Sequence, residues 1–226
     1  NDYHGFYVMA TGTGKTWTAI FSAKHLVEKH PAMIVICAPY KHLVKQWADD
    51  VEKAFPDAKL IMVSSENPIW ETQIAQEIIR KQYKPDNQII IISTIASFKM
   101  ERFTSVISRS KEDKLLIVDE AHRFTDRPDK LKEMFRYMLG LSATPFSGSS
   151  AHKGLELMEW FGGQVFNLPI ENALERGFLV PYNYYPIYVY ATEDEERRFK
   201  YHTQKILSCF KNNKCINPDL LVKSLR

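Results

Sequence analysis

Short apolar runs alternate with longer amphipathic stretches from the start of the chain to about residue 146. The runs consist of β-branched and aliphatic residues with few polar interruptions, which is typical of parallel strands covered on both faces by helices. They predict strands at 6–9, 33–37, 60–63, 89–92, 115–118 and 138–141. The stretches between them predict helices at 16–29, 40–54, 68–83, 95–107 and 128–137. The pattern therefore predicts an α/β fold of three layers with a mostly parallel sheet, whose strands present their carboxyl ends at one edge.

Beyond about residue 146 the alternation of apolar runs and amphipathic stretches ends, and we expect a C-terminal helical and linker extension. A loop is expected at 147–150, and helices at 152–161, 170–176, 193–210 and over the last fifteen residues. The stretch 180–190 is rich in tyrosine, and its near-alternation favours a half-buried strand leading to a further domain. The alternative is a platform on which single-stranded bases stack. We expect a first domain at 1–190 and a helical linker at 191–226.

The composition excludes several classes of protein. The 226 residues are 45% hydrophobic and 25% charged with a formal net charge of +3, which is typical of a soluble globular protein. Apolar runs are far shorter than the roughly 18 residues that a membrane-spanning helix needs, and no secretory signal is recognisable. The three cysteines are expected to be reduced thiols in the cytoplasm. Cys209, Cys215 and His202 are too few ligands for a zinc site.

Residues 10–16, Ala-Thr-Gly-Thr-Gly-Lys-Thr, lie directly between a predicted strand and a predicted helix. Glycines allow backbone N–H groups to fold around a phosphate, and the helix N-terminus behind them adds partial positive charge. Lys15 would reach the β- and γ-phosphates, and the Thr16 hydroxyl would hold Mg²⁺. The general phosphate-loop pattern has glycine where this chain has Met9. The setting disfavours an accidental Gly-rich turn, and the expected nucleotide-binding residues are Thr11, Gly12, Thr13, Gly14, Lys15 and Thr16.

An acidic pair, Asp119 and Glu120, follows the predicted strand at 115–118 and would lie at the same edge of the sheet. A carboxylate there could hold Mg²⁺, which prefers one or two carboxylates together with phosphate oxygens. Glu120 could orient and deprotonate an attacking water. An acidic pair at this place could also cap a helix, but the neighbouring phosphate loop favours the catalytic interpretation.

Three segments in this order, Met-Ala-Thr-Gly-Thr-Gly-Lys-Thr, Asp-Glu-Ala-His and Leu-Ser-Ala-Thr-Pro, resemble the motifs of superfamily 2 helicases of the DEAH type. Over residues 1–190 the chain is most similar to the branch of restriction-enzyme Res subunits and XPB-type proteins. The resemblance implies a RecA-like P-loop motor domain that binds ATP and Mg²⁺, with catalytic roles for Lys15, Asp119, Glu120 and His122. It implies that Ser142, Ala143 and Thr144 link the nucleotide state to the grip on nucleic acid.

The resemblance also implies contacts to the nucleic-acid backbone, made by Pro39, Tyr40, Gln46, Ser93 and Thr94. Small hydroxyls and helix N-termini suit phosphate contacts that do not read bases. For Ser93 and Thr94 the competing interpretation is a helix cap. Trp47 is expected to pack in the core rather than to stack on a base.

The resemblance implies the ATP-binding half of a nucleic-acid-dependent ATPase, a DNA helicase or double-strand DNA translocase of restriction, repair or defence type, with duplex DNA the favoured partner. In this family ATP is enclosed between two RecA-like domains, and the second supplies an arginine finger. We expect the chain to be a fragment that lacks this second domain and therefore hydrolyses ATP negligibly, because losing such an arginine costs a factor of about 10³–10⁵. An RNA helicase and a nucleotide-gated clamp that does not translocate are the alternatives.

Overall fold

A computed structural model describes residues 3–125, 129–145 and 151–211 of the chain. Its contacts divide the chain into two compact units, one running to Pro181 and the other starting at Tyr182. In the part of the chain that the structure describes, no helix has the length and apolar character that crossing a membrane requires.

The first unit is built on one sheet of seven strands, all paired in parallel. The strands are β1 His4–Met9, β2 Ala32–Ala38, β3 Lys59–Val63, β4 Ile89–Thr94, β5 Asp113–Val118, β6 Tyr137–Ser142 and β7 Gln164–Leu168. Their order across the sheet is β3-β4-β2-β5-β6-β1-β7. The predicted parallel α/β architecture is thus confirmed, and the turns that follow the strands meet at one edge.

Helices connect the strands and cover the sheet. They are α1 Lys15–Lys29, α2 Lys41–Ala54, α3 Trp70–Tyr83, α4 Ile95–Phe98, α5 Glu101–Ile107, α6 Asp129–Met134, α7 Ala151–Trp160, α8 Ile170–Glu175 and α9 Glu193–Lys211. A short 3₁₀ helix, Ala121–Arg123, follows β5. Helix α9 lies in the second unit.

The core consists of two main hydrophobic clusters, and β2 shows why. Met33, Val35 and Cys37 belong to one cluster, whereas the alternate residues Ile34 and Ile36 belong to the other. Successive strand side chains point to opposite faces, so a strand covered on both faces must be apolar throughout. This requirement explains the continuous apolar runs in the sequence.

The structure corrects the helix predicted at 128–137. Helix α6 ends at Met134, and Tyr137 is the first residue of β6. Tyr137 is buried against the edge of the Tyr3 ring, with 5.6 Å between ring centroids. Pairing of β6 with both β5 and β1 outweighs any local preference for helix.

Two further differences concern the region after residue 146. Strand β7 was not predicted, and it joins the edge of the sheet by pairing with β1. The half-buried strand expected in 180–190 is wrong, since the stretch has no regular secondary structure and its tyrosines are exposed. The loop expected at 147–150 and the helix expected over the last fifteen residues lie outside the described residues.

Candidate active site

The loop of residues 10–14 curls between β1 and α1. Gly12 and Gly14 have φ angles of 83° and 85°, a left-handed conformation that costs other residues about 1–2 kcal/mol. The Thr13 hydroxyl donates to the Ala10 carbonyl oxygen at 2.7 Å, which closes the turn. The Ala10 N–H donates to the Leu168 carbonyl oxygen at 3.0 Å and thereby ties the loop to the end of β7.

Lys15 is the first residue of α1, and only 10% of its side chain is exposed. Its ammonium nitrogen is buried and forms no hydrogen bond with any described residue. The Lys15 Nζ atom lies 3.9 Å from Glu120 Oε1, which is an ion pair at the limit of contact. A buried ammonium that lacks acceptors is costly, and phosphate oxygens entering the loop would supply them. The loop and Lys15 therefore fit a polyphosphate.

Asp119 follows β5 and is held from three directions. Its backbone N–H donates to the Cys37 carbonyl oxygen on β2 at 2.8 Å. Its Oδ2 accepts a hydrogen bond of 2.9 Å from the Trp47 indole Nε1, and its Oδ1 accepts one of 2.8 Å from the Glu120 backbone N–H. The carboxylate is consequently fixed at the edge of the sheet.

Glu120 adopts a left-handed conformation, with φ 45° and ψ 50°. This conformation is unusual for a residue other than glycine and is strained. In this conformation the carboxylate lies between two basic groups, with Oε1 3.9 Å from Lys15 Nζ and Oε2 3.4 Å from His122 Nδ1. The strained turn thus brings the second acidic residue close to Lys15, which follows the glycine loop.

His122 connects this turn to the end of the neighbouring strand β6. Its Nδ1 lies 3.0 Å from Ser142 Oγ, and Ser142 Oγ in turn accepts a hydrogen bond of 3.2 Å from the Thr144 backbone N–H. Ser142 is buried, Ala143 is partly buried and Thr144 is exposed. The structure therefore brings the predicted residues of the second and third motifs into direct contact.

Most of the residues expected to contact nucleic acid lie where β2 and β4 end, at the same edge, and Gln46 lies on the helix that follows β2. Pro39 and Tyr40 precede α2, and Gln46 lies exposed on that helix. Tyr40 is 45% exposed. Its ring centroid lies 5.5 Å from that of His42, in a nearly parallel stack, and 5.2 Å from the guanidinium carbon of Arg123.

Ser93 and Thr94 end β4, and both are buried. Thr94 Oγ1 accepts a hydrogen bond of 3.1 Å from the Ser97 backbone N–H and so caps α4. Ser93 Oγ lies 3.5 Å from Cys37 Sγ inside the sheet. Both hydroxyls therefore have partners within the protein, and their contact with phosphate stays a prediction.

Sequence reasoning missed two contacts. The burial of Trp47 was expected, but its hydrogen bond to Asp119 was not. A buried indole N–H requires an acceptor, which was the available signal. The position of Arg123 over Tyr40 joins turns that lie far apart in the sequence, so only the sheet order reveals it.

The acidic edge of the sheet offers few side-chain ligands for a metal ion. Among the described residues, no group of three or more His, Cys, Asp or Glu side chains could hold a metal ion. Mg²⁺ typically binds one or two carboxylates and completes its shell with phosphate oxygens and water. Asp119 and the Thr16 hydroxyl are suitable donors for an ion that arrives with a nucleotide.

Comparisons with known proteins match the chain to one family model and to helicase and restriction-enzyme relatives. A family model described as "Type III restriction enzyme, res subunit" matches residues 1–147. The putative helicase 109L of Invertebrate iridescent virus 3 is 29% identical over 163 residues, which are 71% of this chain and 44% of that protein. The Type I restriction enzyme EcoAI endonuclease subunit of Escherichia coli is 27% identical over 182 residues, 77% of this chain and 20% of that protein. The chain thus spans less than half the length of these relatives.

Solved structures share the fold. A nuclease-deletion mutant of the Type ISP restriction-modification enzyme LlaGI, in complex with a DNA substrate mimic, matches 95% of this chain and 21% of its own. Its TM-score is 0.65 and its identity 19%. The Hef helicase domain of Pyrococcus furiosus matches 81% of this chain and 38% of its own, with a TM-score of 0.63 and 22% identity. At these identities the likeness establishes the fold alone.

Proposed function

We propose, because the chain belongs to the Type III restriction enzyme res-subunit family, that it is the ATP-binding half of a DNA helicase or double-strand DNA translocase. The observation that carries the proposal is the buried ammonium of Lys15, which lacks a hydrogen-bond partner among the described residues and lies beside Glu120. The relatives named as a putative helicase and as a restriction endonuclease subunit support it, as does the LlaGI structure with its DNA substrate mimic.

In the proposed reaction, Lys15 binds the β- and γ-phosphate oxygens in place of its distant contact with Glu120. Glu120 then accepts a proton from a water whose oxygen attacks the γ-phosphorus, while the bond from that phosphorus to the β–γ bridging oxygen breaks. Thr16 and Asp119 would hold Mg²⁺, which supplies charge neutralisation on the phosphates. His122 Nδ1 lies 3.4 Å from the other oxygen of Glu120 and 3.0 Å from Ser142 Oγ, so this side chain would connect the site to Ser142.

A second RecA-like domain is part of the proposal. Resemblance to superfamily 2 motors implies that this domain closes over ATP and contributes an arginine. Without it, phosphoryl transfer slows by about 10³–10⁵, so the 226-residue chain should bind ATP weakly and hydrolyse it negligibly. Turnover by the isolated chain at a rate comparable with that of the natural protein would contradict this part.

The test is phosphate release by the natural protein that contains this chain, with no polymer, duplex DNA, single-stranded DNA or RNA. Glu120→Gln is the control for chemistry, because it keeps the shape of the side chain and removes the base. Strong stimulation by duplex DNA that the variant lacks supports a DNA motor. Stimulation by RNA alone identifies an RNA helicase. No stimulation by any polymer overturns the motor function. Strand-displacement and binding assays separate a motor from a nucleotide-gated clamp, because a clamp binds nucleic acid without displacing a strand.

A further inference from the structure

The indole ring of Trp47 lies between the core and the acidic edge of the sheet. It is 1% exposed and packs with Val44, Ala48 and Val51 on the buried face of α2. The indole N–H is the single polar group of the side chain, and it donates to Asp119 Oδ2 at 2.9 Å.

The hydrogen bonds of Asp119 show what this N–H does. Oδ1 is held by the backbone of the next residue, Glu120, which moves together with it. Oδ2 is held by Trp47, which belongs to a different element and is anchored in the core. The hydrogen bond from Trp47 is therefore the one that fixes the orientation of the Asp119 carboxylate relative to the rest of the fold. Asp119 itself is only 8% exposed.

We propose that Trp47 is a positioning residue of the ATP site, whose indole N–H orients Asp119 for Mg²⁺ that enters with the nucleotide. The inference rests on the proposed function and extends it to a residue outside the motifs that bind phosphate or water. Groups that hydrogen-bond to metal-holding side chains orient those ligands, and losing such a partner typically weakens metal binding by about 10–100-fold.

The first test is Trp47→Phe, which keeps an aromatic ring in the core and removes the N–H. Trp70→Phe is the matched control, since Trp70 is 2% exposed and packs against Phe103 in the other main cluster. Binding of an ATP analogue to the natural protein that contains this chain is titrated calorimetrically over a series of Mg²⁺ concentrations and in EDTA. Melting temperatures of the variants report separately on stability.

Trp47→Phe should raise the Mg²⁺ concentration for half-maximal binding about tenfold, with nucleotide affinity in EDTA unchanged. Trp70→Phe should change neither quantity. An unchanged Mg²⁺ dependence in Trp47→Phe, or an equal shift in both variants, overturns the inference. If instead the unsubstituted protein binds the analogue without any effect of Mg²⁺ or of Asp119→Asn, the proposed ATP site itself fails.

A second measurement does not require the Phe variant to fold. In the unsubstituted chain labelled with ¹⁵N, the indole N–H resonance of Trp47 should shift when Mg²⁺ and the analogue are added together, and less with the analogue in EDTA. The Trp70 resonance should remain in place under both conditions. A Trp47 resonance that does not respond to Mg²⁺ contradicts the role.

Discussion

The buried ammonium of Lys15 shows at the scale of one residue how ligand binding and folding make opposite demands. A charged group that has lost its water and gained no hydrogen bond destabilises the protein without ligand. The same group is ready to receive an anion, because most of its desolvation has already occurred. If the proposed function is correct, the loop that precedes Lys15 is thus prepared for phosphate at a cost in stability.

Lys15→Met should therefore raise the free energy of unfolding of the ligand-free chain by about 1–3 kcal/mol. Glu120 tolerates the loss of its partner because 29% of its side chain is exposed to water. Urea unfolding measures the change, with Lys45→Met on the exposed face of α2 as the control, expected within about 0.5 kcal/mol. MgATP should raise the melting temperature of the unsubstituted chain and not that of Lys15→Met. A destabilised Lys15→Met would contradict the interpretation.

Cys37 supplies a second prediction at this scale. Burial raises the pKa of its thiol to about 12, and the contact with Ser93 only partly opposes this rise. In the unfolded chain the same thiol ionises near its ordinary pKa of 9.0. The contribution of the protonated thiol to the free energy of unfolding is therefore complete below pH 9.0 and is lost as the pH approaches 12.

The measurement is urea unfolding at a series of pH values in the unsubstituted chain and in Cys37→Ala, whose other titrating groups are the same. Stability of the unsubstituted chain should fall more steeply above about pH 9. Parallel pH profiles for the two proteins would show that the thiol does not contribute.

At the scale of elements, the position of β6 is decisive. This strand lies between β5, which ends at the acidic pair, and β1, which ends at the phosphate loop. Its last residue, Ser142, contacts His122 directly. A change in the turn that follows β5 can therefore reach the end of β6 through one contact, that of His122 with Ser142.

Ser142→Ala should leave nucleotide affinity unchanged and reduce the stimulation of ATP hydrolysis by nucleic acid in the natural protein. The substitution also removes the acceptor of the Thr144 N–H and should cost about 1 kcal/mol of stability. Ser108→Ala, which affects only a hydrogen bond to Ser105 in an exposed position, is the control. Full stimulation in Ser142→Ala would mean that the contact does not couple the two sites.

The elements differ in how far the sequence determines them. Strands β2 and β4 are buried along their whole length, so their apolar runs predict both the strand and the parallel sheet. Strand β7 is exposed at four of its five positions, and it owes its conformation to pairing with β1, which no local pattern reveals. The stretch 180–190 has the alternation of a strand, but no described strand pairs with it.

The residues of the candidate site also differ in how far the sequence reveals them. Glycines before a Lys-Thr pair and an acidic pair after an apolar run mark Lys15 and Asp119 directly in the sequence. The indole bond from Trp47 depends on the direction of one N–H group, and the contact of Arg123 with Tyr40 depends on which strands are neighbours. Both arise from tertiary packing, so residue spacing alone does not contain them.

At the scale of the whole molecule, the unit that ends at Pro181 contains the complete sheet and both main clusters of the core. A chain truncated after Pro181 should therefore unfold cooperatively at a similar urea concentration and bind nucleotide as the longer chain does. A chain truncated after Gly163 lacks β7 and therefore the Leu168 carbonyl that accepts a hydrogen bond from the Ala10 N–H. This shorter chain should lose both cooperative unfolding and nucleotide binding. Equal behaviour of the two truncated chains would contradict the assigned role of β7.

Strand β1 also determines when the phosphate loop can form. The ribosome makes β1 before the other strands, yet its partners β6 and β7 follow only at residues 137–142 and 164–168. Contacts between such distant segments form slowly, because the intervening chain must first be closed into a loop. Throughout that interval the phosphate loop lacks the support of both β6 and β7. The proposed affinity for nucleotide would therefore be among the last properties that the nascent domain acquires, and its appearance during synthesis would report that the sheet is complete.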